Sequence, residues 1–513
     1  MPTPPTREDP FVAGASEAIG GPFGRHASNR RWSWWTPLRV ALGVTVLVCV
    51  FGYLQKSPCL THSYSDEYQY TRLCYTDTYV LYTVEGLNAH TDAAGKVVGS
   101  VGVPYRDHPV EYPPVIGGLM WAAAEVTSVL HGGGADASGV HATTFFDVTA
   151  LGLAALALVS TWSVAQLVGK KRAWDAVMVA ASPVLFMHAF TNWDLAAVAL
   201  TGIGLWLWSR GSPAWAGVAL GLGVAAKLYP ALVLLALLML CARERNWRAA
   251  ATVTGTAALA LVAMYVPAIL ISSGHAFPFP SASCTTGPMV VGWKFFTSLS
   301  KQRGVDWGSL WLVVQHLAQG LESHVSSGSV MHSALDSTGK AITGPTGTGS
   351  CSKDPTALNR ISETSVALVI VGVGALVAWA RQRPRVGQVA FLLVAGFVML
   401  NKVDSPQYAL WLVPLAVLAR PRWTSILVWQ VTEVMLGAAN LYTLIALDHS
   451  DQGLPMDTYL IFVVIRDLVL VGLMALVVRE VLHPRLDVVR RDGVDDPAGG
   501  VLLERPIGVD GAP

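Results

Sequence analysis

Residues 248–272 read RAAATVTGTAALALVAMYVPAILIS, and Arg248 is the only charged residue among them. A helix needs about 20 consecutive apolar residues to cross the ~30 Å hydrocarbon core of a bilayer. The stretch is long enough to cross, and it lacks the alternation of apolar and polar residues that marks a membrane β-strand. It therefore predicts a transmembrane α-helix.

Apolar runs of this kind recur along almost the whole chain of 513 residues, of which 52% are hydrophobic and only 13% charged. Soluble domains contain about 25% charged residues, so water is not the main solvent of this protein. The sequence predicts an all-α, polytopic integral membrane protein with about 12 transmembrane helices. The runs occupy residues 39–54, 113–131, 144–168, 174–190, 194–209, 214–226, 229–243, 248–272, 364–380, 386–400, 406–419, 424–446 and 458–480.

The distribution of basic residues predicts how these helices are oriented, because cytoplasmic loops carry an excess of Lys and Arg. Placing every basic cluster inside puts both termini in the cytoplasm and requires an even number of crossings. We expect residues 113–131 not to cross and to be re-entrant or interfacial, because this run opens with Pro113-Pro114 and carries Glu125. The clusters are Arg25/Arg30/Arg31, Lys170/Lys171/Arg172, Arg210, Arg243/Arg245/Arg248, Arg381/Arg383/Arg385, Arg420/Arg422 and Arg485/Arg490/Arg491.

This topology divides the chain into one transmembrane domain, residues 37–480, with long outer loops at 55–112 and 273–363. The polar segments 1–36 and 481–513 predict disordered cytoplasmic tails. The first of them lacks the small-residue cleavage site of a signal peptide, so the first apolar run is expected to remain as an anchor.

Four cysteines fall in the predicted outer loops, which suits an oxidising compartment. Cys59 and Cys74 share the first outer loop, and Cys284 and Cys351 share the largest one. Because connectivity cannot be deduced from a sequence, disulfide pairs and four unrelated thiols both remain open.

Lys227 interrupts the apolar stretch GLGVAAKLYP on the predicted outer side, where basic residues are scarce. A cation at membrane depth is costly and marks a functional site by default. Its natural partner is a lipid-linked phosphate, which Arg303 and Lys402 are expected to share as further donors. The alternative is that Lys227 extends its ammonium to the lipid headgroups.

Acidic and aromatic residues are dense in the first outer loop, where Asp77 lies between Tyr75 and Tyr79. A carboxylate beside the membrane can act as general base on a sugar hydroxyl while a phosphate leaves. A solvated loop with ordinary surface acids is the alternative. Asp194 opens a helix after Asn192-Trp193, where a carboxylate caps the helix and complements its dipole.

Other charged residues within the apolar runs are interpreted as structural pairs or interior polar contacts, not as a proton relay. They are Asp147, Glu433 and the neighbours Arg466 and Asp467.

These features together resemble glycosyltransferase family 87, whose members have the C-type glycosyltransferase fold and take sugar from polyprenyl-phosphate donors. The resemblance covers roughly residues 37–480, and six stretches in this order carry it. They are Cys74-Tyr75-Thr76-Asp77, Tyr105 to Glu111-Tyr112-Pro113-Pro114, Asn192-Trp193-Asp194, Ala226-Lys227-Leu228-Tyr229-Pro230, Arg303-Gly304-Val305-Asp306-Trp307-Gly308-Ser309 and Ser405-Pro406-Gln407-Tyr408-Ala409-Leu410-Trp411.

The resemblance implies that an acidic residue of the first outer loop is the catalytic base. Asp77 matches that position, and Asp66 is the second choice. Relatives in the broader fold carry a paired Asp-x-Asp for a divalent metal, but Tyr75 and Tyr79 stand two residues either side of Asp77. No cofactor is therefore assigned, and a divalent cation is left open.

Substrate contacts are implied for Tyr112, Asp194 and Gln407, in addition to Lys227, Arg303 and Lys402. Some mannosyltransferases of the family use a His near Gln407, so the acid/base arrangement is expected to differ here.

The implied activity is transfer of a hexose, with mannose favoured, from a polyprenyl-phosphate donor to a lipid or glycan acceptor of the cell envelope. It would occur at the extracytoplasmic face of a multi-pass cell-membrane protein embedded in the lipid bilayer, with inversion at the anomeric carbon. Nothing in the sequence indicates a nucleic-acid partner.

Two other classes of protein share this hydropathy. A transporter or lipid flippase is disfavoured because the polar residues gather on one face, whereas alternating access needs a site near the midplane. A scaffold of envelope assembly is disfavoured by the acids and cations of the predicted outer face.

Overall fold

The structure is a computed structural model, and it describes most of the chain. Six residues discussed above lie outside the described part, namely Arg25, Arg30, Arg31, Asp66, Cys284 and Cys351. The described residues are 9–20, 34–62, 67–87, 90–91, 97–98, 101–131, 139–278, 289–322, 356–448, 452–491, 493 and 495–502.

Helices account for nearly all regular structure in the described residues. The α-helices are α1 Pro10–Gly20, α2 Pro37–His62, α3 Tyr68–Thr71, α4 Asp77–Val84, α5 Pro114–His131, α6 Val140–Val168, α7 Val177–Ala180, α8 Pro183–His188, α9 Asp194–Ser209, α10 Pro213–Val224, α11 Pro230–Arg243, α12 Trp247–Ile271, α13 Phe295–Gln302, α14 Leu310–Glu322, α15 Thr356–Trp379, α16 Val386–Leu400, α17 Ala409–Ala419, α18 Trp423–Asp448, α19 Met456–Leu482 and α20 Val488–Arg491.

Two antiparallel pairs of short strands complete the fold, β1 His90–Thr91 with β2 Val97–Val98 and β3 Ala276–Pro278 with β4 Met289–Val291.

Five of the described helices are long and apolar enough to cross a membrane. They lie at Pro37–Thr61, Val140–Val168, Trp247–Ile271, Ala357–Trp379 and Met456–Leu482. Shorter apolar helices, including α9, α11 and α16, pack among them. Large apolar side chains such as Leu259, Leu368 and Trp379 remain exposed on the long helices, as lipid-facing residues do. The prediction of an all-α polytopic membrane protein is confirmed, while the count of about 12 crossings stays a prediction.

Helices α2 and α6 run antiparallel and define two ends of the bundle. Thr45, early in α2, hydrogen-bonds Thr161, late in α6, at 2.9 Å. Tyr53, late in α2, donates to Asp147, early in α6, at 2.7 Å. We call the end where α6 begins the site end and the end where α6 stops, next to Lys170, the basic end.

Both termini of α5 lie at the site end. The backbone N–H of Val115 donates to the carbonyl of Ala225 at 3.0 Å, beside Lys227. At the other terminus, His131 Nε2 hydrogen-bonds Thr144, in the second turn of α6, at 2.8 Å. Helix α5 therefore does not pass from one end of the bundle to the other, which agrees with the expectation that residues 113–131 do not cross.

Parts of the segments predicted as disordered tails are folded against the bundle. Helix α1 stacks Phe11 on Trp423 with ring centroids 5.8 Å apart. Residues 483–491 and 495–502 cover the basic end, where Asp487 pairs with buried Arg385 at 2.7 Å and Trp208 donates to the carbonyl of Gly499. The composition of segment 481–513 is polar, but its carboxylates have buried partners that composition alone does not reveal.

A buried cluster around Arg466 holds two loops together at the site end. Arg466 pairs with Asp404 at 2.7 Å and with Glu433 at 3.7 Å, and it donates to the carbonyl of Gly308. Gly308 is required there, because a Cβ would collide with the carbonyl oxygen of Asp404. The geometry agrees with the structural role that we inferred for Arg466 and Glu433.

Candidate functional site

Asp77 is the first residue of α4 and is held from several sides. The hydroxyl of Thr76 caps the helix by accepting from the backbone N–H of Thr78. The backbone N–H of Asp77 donates to the carbonyl of Thr191 at 2.8 Å. These bonds fix α4 against the turn that precedes α9.

A disulfide and a buried lysine anchor the approach to Asp77. Cys59, near the end of α2, is bonded to Cys74, three residues before Asp77. Lys56, on the same helix, is buried and donates to the carbonyl of Tyr75 at 2.8 Å. The end of α2 thus positions the backbone that leads into α4. The pairing left open for Cys59 and Cys74 is present in the structure.

The Asp77 carboxylate accepts hydrogen bonds from two side chains. The Tyr75 hydroxyl donates to Oδ1 at 2.7 Å, and the Asn192 amide donates to Oδ2 at 2.7 Å. An ionised carboxylate only accepts hydrogen bonds, and each oxygen has a second lone pair. Asp77 is therefore oriented as a base with lone pairs left for a substrate hydroxyl.

Lys227 joins this cluster through the amide oxygen of Asn192. Its ammonium donates to Asn192 Oδ1 at 3.3 Å and pairs with buried Asp194 at 3.4 Å. It also lies 4.9 Å from the ring centroid of Tyr112 and 6.0 Å from that of Tyr408, within cation–π range. The Lys227 side chain is only 11% exposed, so it does not extend into solvent in this structure.

Asp194 occupies the first turn of α9, and its carboxylate faces the interior. It is fully buried and accepts a hydrogen bond from Trp411 Nε1 at 2.8 Å in addition to the Lys227 contact. The capping role that we expected is wrong, because Trp193 is the N-cap of α9 and no side-chain hydrogen bond caps the helix, so Asp194 only complements the helix dipole from the first turn. Its ion pair with Lys227 adds a second role, because a buried ammonium needs a counter-charge.

Tyr112 presents a hydroxyl with an uncommitted proton. Its oxygen accepts from Asn192 at 2.8 Å, and within the described part of the chain the hydroxyl donates to no acceptor. Burial, together with the nearby charge of Asp77, raises the pKa of Tyr112 well above its usual range. The phenol therefore keeps its proton at neutral pH and can donate it in a hydrogen bond to a ligand.

The remaining basic side chains predicted to bind phosphate have other partners. Arg303 pairs with Glu111 at 3.1 Å. Lys402 is buried and donates to the backbone carbonyls of Lys301 and Arg303. In this structure Lys402 holds the loop that carries Arg303. Gln407 is buried in the short turn Pro406–Tyr408.

Sequence reasoning missed four residues of this region. Asn192 was noted only within a motif, although it bridges Asp77 and Lys227. Lys56 and Glu85 lay without comment in the predicted outer loop 55–112, and Glu111 was, like Asn192, noted only within a motif. Glu85 is buried and accepts from the backbone N–H of Glu111 at 3.1 Å. Burial and the charge of Glu111 raise the pKa of Glu85 well above its usual range.

Binding of a divalent cation near Asp77 stays a prediction. Across the described ranges, no three His, Cys, Asp or Glu side chains are grouped so that they could hold a metal ion. We therefore assign no step to a metal.

Comparison with known proteins gives a family for this chain. No curated protein matches it at a significant level. The sequence model of glycosyltransferase family 87 matches residues 137–401, a stretch that includes Asn192, Lys227 and Arg303 and begins after Asp77. That match covers more than half of the chain. With an all-α membrane fold and a polar cluster at one end of its bundle, the protein belongs to glycosyltransferase family 87.

Proposed function

We propose that this membrane glycosyltransferase transfers a hexose, with mannose the first sugar to test, from a polyprenyl-phosphate donor to a lipid or glycan acceptor of the cell envelope. The observation that carries the proposal is the Asn192 amide, which binds an acid and a cation at once. Asp77 and Lys227 supply the two functions that such a transfer needs, a base and a phosphate partner.

Asp77 acts as the general base in this reaction. It takes the proton of an acceptor hydroxyl, whose oxygen attacks the anomeric carbon of the donor sugar. The bond from that carbon to the phosphate oxygen breaks, and the electron pair leaves with the polyprenyl phosphate. Because the acceptor oxygen attacks directly, with no covalent sugar–enzyme intermediate, the configuration at the anomeric carbon inverts.

Lys227 and Tyr112 bind the phosphate in this mechanism. The Lys227 ammonium stabilises the negative charge that develops as the phosphate leaves. The free proton of the Tyr112 hydroxyl donates to a phosphate oxygen, and its ring supports the ammonium. Lys402 acts indirectly, since its ammonium is committed to backbone carbonyls.

The site end faces the extracytoplasmic side of the cell membrane in this proposal. The basic end carries Lys170, Arg243 and Arg420, and basic residues are concentrated on the cytoplasmic side of membrane proteins. A lipid-linked donor in the outer leaflet then reaches Lys227 from the bilayer.

The alternative function is transport or flipping of an envelope precursor. It would need a path through the bundle to the basic end, where residues 495–502 pack over α9, α12 and α16. An assay of sugar transfer in detergent solution separates the two functions, because transport has no product there.

The test is transfer of radiolabelled hexose from polyprenyl-phosphate hexoses by the purified protein. Asp77→Asn keeps the size and the hydrogen-bond acceptor of the side chain but removes the base, so we expect a loss of about 10²–10⁴ in rate. Asp107→Asn, in the same loop, is the matched control and should retain the wild-type rate.

If Asp77→Asn is active and Asp66→Asn is inactive, Asp66 is the general base instead of Asp77. Full activity of both variants would contradict general-base catalysis by this loop.

A further inference from the structure

The ion pair between Glu111 and Arg303 is a partly exposed charged feature of the loops near Asp77. Its N–O distance is 3.1 Å, and the two side chains are 35% and 37% exposed. Exposed ion pairs contribute little to the stability of a fold. Stability alone therefore does not account for the way in which this pair is held.

Two buried ionisable side chains, Glu85 and Lys402, hold the backbone beneath the pair. Glu85 accepts the N–H of Glu111, and Lys402 donates to the carbonyl of Arg303. Both are at most 5% exposed. Burying ionisable groups is costly, and here each binds the main chain of one partner. The pair is therefore fixed before any ligand arrives, which lowers the entropy that binding would cost.

The pair also lies beside the proposed reaction centre. Glu111 directly precedes Tyr112, whose hydroxyl is bonded to Asn192. The charges of Asp77 and Glu111 are close enough to interact, and Arg303 lies near enough to Tyr112 to interact with its hydroxyl group. A ligand bound by Glu111 and Arg303 would thus be within reach of Asp77.

The charge of the pair selects the ligand chemistry. Glu111 neutralises Arg303 and would repel a phosphate, and Asp306 adds a further negative charge near Arg303. A neutral diol fits better, because one hydroxyl can donate to the Glu111 carboxylate while its neighbour accepts from the Arg303 guanidinium. The guanidinium is planar and carries several donors, which suits such paired recognition.

We propose that Glu111 and Arg303 form the acceptor subsite and bind two neighbouring hydroxyls of a neutral, polyhydroxylated acceptor sugar. This inference rests on the proposed glycosyl transfer and assigns Arg303 to the acceptor instead of the donor phosphate. Lys227 is then left as the cation for the donor.

The experiment measures the KM of the purified full-length protein for octyl mannoside, which serves as the acceptor probe. Glu111→Ala and Arg303→Met should raise its KM about 10- to 100-fold, as expected for losing a hydrogen bond to a charged group. The KM for the polyprenyl-phosphate donor should change less than about twofold. Arg106→Met, which breaks the exposed pair with Asp107 in the same loop, is the control and should change neither value.

Analogues of octyl mannoside that lack one hydroxyl test the contact directly. For the analogue that lacks the hydroxyl bound by Glu111, the KM of the wild type should rise by the same factor as the KM of Glu111→Ala for intact octyl mannoside. The KM of Glu111→Ala should not rise further with that analogue. Glu111→Gln and Arg303→Lys keep the size of each side chain and serve if the larger changes unfold the protein.

If Arg303→Met raises the KM for the donor and leaves the KM for the acceptor unchanged, Arg303 binds the donor phosphate and the proposed acceptor subsite is wrong. Unchanged kinetics in all variants would also overturn it. Binding of tritiated octyl mannoside, measured by equilibrium dialysis, separates this inference from the proposed function. Binding lost in Glu111→Ala supports the subsite even if no polyprenyl-phosphate hexose serves as donor.

Discussion

Asn192 donates a hydrogen bond of 2.7 Å from Nδ2 to Oδ2 of Asp77. The oxygen of the same amide accepts from Lys227 at 3.3 Å. An amide has one donor end and one acceptor end, so it can satisfy a carboxylate and an ammonium at once. Asn192 thus fixes the spacing of the two groups to which we assign proton removal and phosphate binding.

Replacing Asn192 tests that role. Asn192→Ala removes both contacts, and Asn192→Asp replaces the donor with a carboxylate that repels Asp77. We expect kcat to fall about 10²-fold or more in both, because misplaced catalytic groups cost rate even when the fold persists. Initial rates at saturating donor measure the loss.

Asn246→Ala is the matched control, since Asn246 caps α12 far from the site. It should lower the free energy of unfolding by about 1 kcal/mol and leave kcat unchanged. A wild-type kcat in Asn192→Ala would show that Asp77 is positioned without the amide.

Lys227→Met should weaken donor binding, because the methionine keeps the apolar stem and removes the charge. The change also leaves Asp194 buried without its counter-charge. Breaking a buried pair costs about 3–5 kcal/mol, so the single variant should be less stable as well.

The double variant Lys227→Met/Asp194→Asn separates the two effects. The amide oxygen introduced at position 194 would still accept from Trp411, so the melting temperature should recover towards the wild-type value. The donor KM, measured with polyprenyl-phosphate hexose, should stay raised. Recovery of donor affinity along with stability would assign Lys227 to the core instead of the phosphate.

Glu85 predicts a pH dependence of stability. Its pKa is raised in the folded protein, so the folded state keeps a proton that the unfolded state loses near pH 4.5. The stability contributed by this group is present below that pH and is lost as the pH rises towards the folded pKa. We expect the melting temperature in detergent to fall as the pH rises above 4.5 for this reason.

Glu85→Gln imitates the protonated side chain and keeps the acceptor for the N–H of Glu111. It should reduce the fall in melting temperature while leaving the transfer rate unchanged. A wild-type pH profile in Glu85→Gln would mean that other groups set the dependence.

The disulfide between Cys59 and Cys74 closes a loop with a sequence separation of 15 residues. Loops of this length give a stabilisation of roughly 3 kcal/mol in the chain-entropy view. Cys59→Ser/Cys74→Ser should therefore melt at a lower temperature and transfer sugar more slowly, because the backbone before Asp77 loses its anchor on α2.

Cys49→Ser is the control for the disulfide, since Cys49 is a buried free thiol on the same helix. It should respond to dithiothreitol as the wild type does. Insensitivity of the wild type to dithiothreitol would contradict the anchoring role.

The fold was predictable because length and hydropathy are local properties. The run 248–272 corresponds to helix Trp247–Ile271, and the run 458–480 to Met456–Leu482. Local composition also indicated that residues 113–131 do not cross the membrane as the other apolar runs do, because they contain Pro113, Pro114 and Glu125.

The site was predictable only in part, because its contacts join distant positions of the chain. Asp77 and Asn192 are 115 residues apart, and no local pattern states which helix ends meet. The polar triplet Asn192-Trp193-Asp194 between two apolar runs was the available signal for Asn192. Lys402 shows the converse, since an isolated outer lysine looks like a phosphate ligand until its carbonyl partners are known.

The burial of Arg385 has a consequence for how the chain is completed during synthesis. Its carboxylate partner, Asp487, follows 102 residues later. At about 5–20 residues per second, the ribosome needs roughly 5–20 s to add Asp487 after Arg385. During that interval the guanidinium can bind the carbonyls of Leu418 and Ala419 but has no Asp487 to neutralise it. A chain interrupted before Asp487 would therefore keep an uncompensated charge at the basic end.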